Sequence, residues 1–113
     1  MEAYIQKDDG SVERATKDIS QWDLLYSISK RFIEQTSKGD VTVSTIFLMF
    51  DHNFSNDGPP ILWETMVFGG KHSGNTTRYT SAKDAKLGHK IACQLVWGIG
   101  WNEKTPEPKQ PET

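Results

Sequence analysis

The chain has 113 residues, 35% hydrophobic and 25% charged, with a formal net charge of −2. That is room for one domain around one core, and without a basic surplus general nucleic-acid binding is not expected. Its single cysteine, Cys93, excludes an intramolecular disulfide and a cysteine-type zinc site, which fits a reducing compartment.

In chain order, residues 3–6 and 11–15 flank Asp8-Asp9-Gly10, the signature of a short hairpin around an Asp-Gly turn. Ser20-Gln21-Trp22-Asp23 resembles a capping box. From there Trp22, Leu25, Ile28, Phe32 and Ile33 recur at helical spacing, predicting an amphipathic helix over about 20–36 that stops at Lys38-Gly39. Asp40 to Phe50 is rich in β-branched and apolar residues and reads as a strand. From Ile46 onward it is apolar on both faces, so a central position covered on two sides is expected.

Ile61 to Phe68 predicts a second strand, Gly69-Gly70 a turn, and Thr76 to Thr80 a third strand. Ser81-Ala82-Lys83-Asp84 opens another helix that runs to about Trp97 and closes at Gly98 and Gly100. Ala82, Ala85, His89, Ala92 and Val96 form its core stripe, with Leu87, Ile91 and Leu95 broadening it. The predicted architecture is α+β, an antiparallel sheet with a central three-stranded meander and an N-terminal hairpin, packed by two helices. It is assigned to a single domain, 1–101, followed by a disordered Pro-rich tail, 102–113.

The N-terminus lacks the basic and apolar regions of a signal peptide, and Ile46 to Phe50 is too short to span a bilayer. A soluble cytoplasmic protein is expected. No cofactor is implied.

The runs Val43 to Leu48, Asp51 to Phe54, Gly58 to Pro60 and Glu64 to Gly70, followed by Arg78-Tyr79 and Gly88-His89, carry a resemblance. The pattern resembles a family of small uncharacterised proteins of tailed bacteriophages and prophages, and it covers about residues 40–96. It implies a setting, the bacterial host cytoplasm, and no specific chemistry.

Five polar residues stand out as a candidate ligand-binding cluster: Asp51, His52, Glu64, Arg78 and His89. Glu64 sits inside an apolar run, where a charge is costly unless paired. One reading takes His52, Glu64 and His89 as the ligands of a small metal-dependent enzyme. The favoured reading is structural: Glu64 paired with Arg78 or His89 sets register, and Asp51, Asn53 and Asp57 close the loop through side-chain turns. A third treats the cluster as a pocket for a small nucleotide, beside the glycine-rich 69–75 loop with Lys71 and His72. That loop lacks P-loop spacing and reads first as a hairpin turn. Trp63, Tyr79, Trp97 and Trp101 could stack on a base, and Trp97 and Trp101 are the candidates for a partner or homodimer surface. No nucleophile elbow is present, and Cys93 falls near the buried side of its helix. The expectation is a phage accessory protein that acts by binding, most concretely an inhibitor of a host defence or regulatory protein. The alternatives are a sponge for a nucleotide signal and the metal-dependent enzyme.

Overall fold

The computed structural model describes residues 2–55 and 57–100. Trp101 and the 102–113 stretch lie outside the described residues. The elements run β1 (Tyr4–Gln6), β2 (Val12–Arg14), α1 (Gln21–Ser29), β3 (Phe32–Lys38), β4 (Val41–Phe47), β5 (Trp63–Phe68), β6 (Thr76–Tyr79) and α2 (Ala82–Trp97). β1 and β2 form a two-stranded hairpin, and β3-β4-β5-β6 form a four-stranded antiparallel sheet in sequence order. The fold class is α+β, as the patterning predicts.

The N-terminal hairpin turns at Gly10, φ 88, and Asp9 Oδ1 accepts from the Ser11 amide at 2.9 Å. Both helices start where expected. Ser20 Oγ accepts from the Trp22 amide, and Ser81 Oγ accepts from the Asp84 amide. α2 ends at Gly98, whose φ of 110 lies outside the range that ordinary side chains favour.

The first helix is shorter than its periodicity suggests. α1 stops at Ser29, and residues 32–36, the last part of the helix predicted over about 20–36, belong to edge strand β3 instead. The meander therefore has four strands, not three. Pairing with β3 satisfies the second hydrogen-bonding edge of β4, a tertiary gain that outweighs local helix propensity. Lys38-Gly39 is a hairpin turn rather than a helix stop. Lys38 pairs with Val41, leaving the two-residue loop Gly39-Asp40, and Gly39 has φ 61. Trp22, meant for a core stripe, is 81% exposed, because α1 packs on β1 and not on the sheet.

Among the described residues the sheet is covered by a helix on one face only. Direct pairs Val43↔Val67, Thr45↔Thr65 and Phe47↔Trp63 put alternate residues of β4 and β5 on the α2 side. There Val43 and Val67 pack with Cys93, while Phe47, Leu62 and Trp63 pack with Ala85. Ser44, Ile46, Glu64, Met66 and Phe68 point the other way. Among the described residues no helix covers the second face of β4, so Phe47 is buried under α2 while Ile46 points to the open face. Among the described residues Trp63 Nε1 is buried without a hydrogen-bond partner, a cost of about 1–3 kcal/mol.

α2 also departs from its predicted stripe. Ala85, His89 and Cys93 are fully buried, but Leu87, Ile91 and Leu95 are 57%, 57% and 48% exposed. They make a second apolar line at i, i+4, i+8 on the outer side, instead of broadening the buried stripe. Gly88 explains how close the inner side comes to the sheet. A Cβ there would overlap the Tyr79 ring and its hydroxyl.

Candidate functional site

The five polar residues singled out in the sequence separate into three places. Glu64 and Arg78 are direct partners across β5 and β6, with Arg78 Nε donating to Glu64 Oε2 at 2.9 Å. They lie on the open face, with the Glu64 carboxylate mostly covered and the Arg78 side chain about half exposed. Of the two partners considered for Glu64, Arg78 takes the role, because the alternation of β5 sends Glu64 away from α2.

His89 is 0% exposed on the opposite face. Its Nδ1 is 2.7 Å from Thr45 Oγ1, its Nε2 is 2.9 Å from Thr36 Oγ1, and Thr45 Oγ1 is 2.5 Å from Thr65 Oγ1. The hydroxyl rotors can complement either tautomer. The Glu34 carboxylate stands 3.7 Å from Nε2. This polar chain joins α2 to three strands, β3, β4 and β5. A buried polar group must find such partners, and the β-branched threonines supply them without leaving the sheet.

Asp51 and His52 belong to the loop after β4. Asp51 Oδ1 accepts from the amides of Asn53 (2.7 Å) and Ile61 (2.9 Å), which closes the loop at its neck. Asn53 Nδ2 donates to the carbonyls of Asp57 and Pro59, and its Oδ1 accepts from Ser55. Asp51 and Asn53 thus act through side-chain turns, while Asp57 contributes its carbonyl. His52 Nδ1 donates to the Phe50 carbonyl at 2.7 Å. The loop is entered through a tight turn at Met49, φ 69, where the Phe50 amide donates to the Leu48 carbonyl.

His52, Glu64 and His89 therefore occupy the loop, the open face and the covered face. Among the described residues no three His, Cys, Asp or Glu side chains are grouped to hold a metal ion. The 69–75 loop is an ordinary turn. Gly69 accommodates the Asp40 carbonyl where a Cβ would collide, and the Ser73 hydroxyl accepts from the Gly69 amide at 3.0 Å. Trp63 is core, Tyr79 lies over Gly88, and Trp97 packs against the Val43–Val67–Cys93 cluster.

Two features escape the sequence reading. The first is the outer surface of α2. Lys83, Lys86 and Lys90 lie at i, i+3, i+7, along one flank of Leu87, Ile91 and Leu95. Among the described residues none of these lysines has a carboxylate within 4.0 Å. The second is a cavity of about 340 Å³ between the N-terminal unit and the α2–β3 layer, lined by Lys7, Lys30, Lys86, Tyr26 and Phe32 among others. It is built by clamping β1 to α1. The Gln6 amide donates to the buried Ser27 hydroxyl, and Gln6 Nε2 donates to the Lys30 carbonyl. Tyr26 donates to Asp8, which raises its phenol above the ordinary range. The signal for it was the Gly39-Asp40 hairpin turn, which makes residues 32–38 a strand and moves Phe32 off the helix.

Among the described residues no helix is long and apolar enough to cross a membrane. Comparison with protein-family models, with curated proteins and with solved structures found no match.

Proposed function

We propose that this chain is a phage-encoded accessory protein that works by binding a host protein, with the outer face of α2 as its contact surface. The observation that carries the reading is the exposed Leu87–Ile91–Leu95 line beside the lysine ridge. Fully burying a leucine or isoleucine is worth about 1.5–3 kcal/mol, and with half of each surface still wet roughly 1 kcal/mol apiece remains to be gained. Three such anchors at helical spacing match the groove of an amphipathic partner. The unpaired lysines specify an acidic flank on that partner, which steers encounter and fixes orientation. A second copy of the chain would bring the same lysine ridge, so self-association is the less complementary option. The bacteriophage setting rests on the resemblance over residues 40–96, and inhibition of a defence or regulatory protein is the form of binding that fits it.

The test is zero-length amine-to-carboxylate cross-linking in bacterial lysate, with wild type beside a Leu87→Gln/Ile91→Gln/Leu95→Gln variant. The expected result is a wild-type-specific product joining Lys83, Lys86 or Lys90 to an acidic helical stretch of one host protein. The same products from the triple variant, or a dimer of this chain in sedimentation, would overturn the reading.

A further inference from the structure

We propose that the crevice between the N-terminal hairpin–α1 unit and the α2–β3 layer binds a small phosphorylated ligand that carries an aromatic ring, in the class of a nucleoside monophosphate. This goes beyond the protein contact assigned to α2 and rests on a different surface, with Lys86 the residue they share. The cavity measures about 340 Å³, within the range of small-molecule sites. Lysines from three separate elements line it: Lys7 after β1, Lys30 at the end of α1 and Lys86 on α2. The one carboxylate in the lining, Asp8, already accepts from the Tyr26 hydroxyl at 3.0 Å.

Lys7 has a carboxylate partner, Glu13, at 3.5 Å. Among the described residues Lys30 and Lys86 have none within 4.0 Å. Three lysines against the one carboxylate, Asp8, give this crevice a local positive surplus in a molecule with an overall charge of −2. Phosphate is an anion that lysine ammonium groups bind as point charges. The same lining presents two aromatic rings about half exposed, Tyr26 at 47% and Phe32 at 52%. A base stacks on such a ring without needing sequence-specific hydrogen bonds. Lys30 Nζ also lies 5.7 Å from the Tyr26 ring centroid, so cation and aromatic surface are adjacent.

Isothermal titration of the full chain with each of the four ribonucleoside 5′-monophosphates tests the assignment, with adenosine, inorganic phosphate and a single-stranded RNA oligonucleotide as comparison arms. Saturable binding of at least one monophosphate is expected, with adenosine and phosphate each weaker by about tenfold or more. Lys30→Ala and Lys86→Ala are each expected to weaken it about tenfold, and Phe32→Ala by a similar factor. All three positions are exposed, so unchanged circular dichroism will show that the variants fold. No saturable binding up to roughly millimolar monophosphate would overturn the proposal, as would affinities indifferent to the three substitutions. Tighter binding of the oligonucleotide than of any mononucleotide would overturn it in favour of a strand-binding groove.

Discussion

The two sides of α2 are assigned opposite roles from similar raw material. The fully buried positions of the inner side are small residues and one imidazole, Ala85, His89 and Cys93. The outer side carries the bulkier aliphatics, Leu87, Ile91 and Leu95, and is about half exposed. A helix that merely needed a core would place them the other way round. The inner side is small because the sheet comes close, with Tyr79 filling the space over Gly88 and three threonines lining His89. Close approach selects small side chains and satisfied polar ones over the middle of the helix, and bulk returns to the inner side only at its end, where Val96 and Trp97 pack on the Val43–Val67–Cys93 cluster. Hydrophobicity at helical spacing thus marks a surface to be covered, and only the packing shows whether this chain covers it.

Substitutions should separate the two sides cleanly. His89→Ala strikes hardest, leaving a cavity and weakening the hydrogen-bond chain through Thr36, Thr45 and Thr65. A loss of about 3 kcal/mol is expected, seen as a fall in Tm of roughly 10 °C or more by calorimetry. A change under about 0.5 kcal/mol would mean that the inner side is not the core. Gly88→Ala comes next. Alanine is the better helix former by about 1 kcal/mol, yet overlap with Tyr79 should give a net loss of about 1–3 kcal/mol in urea unfolding.

The open sheet face should respond less. Arg78→Ala strands a mostly covered carboxylate and is expected to lose about 1–2 kcal/mol. Glu64→Ala frees an arginine that water already reaches, so about 1 kcal/mol is expected. Both should exceed Lys71→Ala in the exposed β5–β6 turn, at under about 0.5 kcal/mol. Equal melting temperatures for Glu64→Ala and Lys71→Ala would remove Glu64 from its register-setting role. At the small end, Leu87→Gln, Ile91→Gln and Leu95→Gln should each shift stability by about 0.5 kcal/mol or less while reducing partner cross-linking. A large stability loss there would make the outer line part of the core.

Much of this architecture can be read in the residue pattern, because its signals are local. Ser20 and Ser81 mark helix starts, Gly98 marks a helix end, and the β-branched and apolar runs Asp40 to Phe50 and Ile61 to Phe68 mark strands β4 and β5. The Glu64–Arg78 pair is one of the two pairings the pattern predicts, since an acidic residue in an apolar strand demands a partner on its neighbour. The side-chain turns of Asp51 and Asn53 were legible for the same reason, their partners lying within a few residues.

What needed the tertiary structure was every decision between equivalent periodicities. Residues 30–36 carry a helical spacing that continues α1, yet as β3 they pair with the otherwise open edge of β4 and bring Thr36 to His89, tertiary contacts that another turn and a half of helix would not make. Convergence of His52, Glu64 and His89 was plausible by order along the chain, but strand alternation puts Glu64 and His89 on opposite faces. The lysine-lined crevice joins residues far apart in sequence and exists only once β1, α1, β3 and α2 have docked. By itself the sequence determined most helix and strand segments, β3 excepted, and where polar groups need partners, because those follow from near-neighbour chemistry. Which apolar face is buried and which cations meet around a cavity depended on long-range packing, where the free energy of docking overrides local preference.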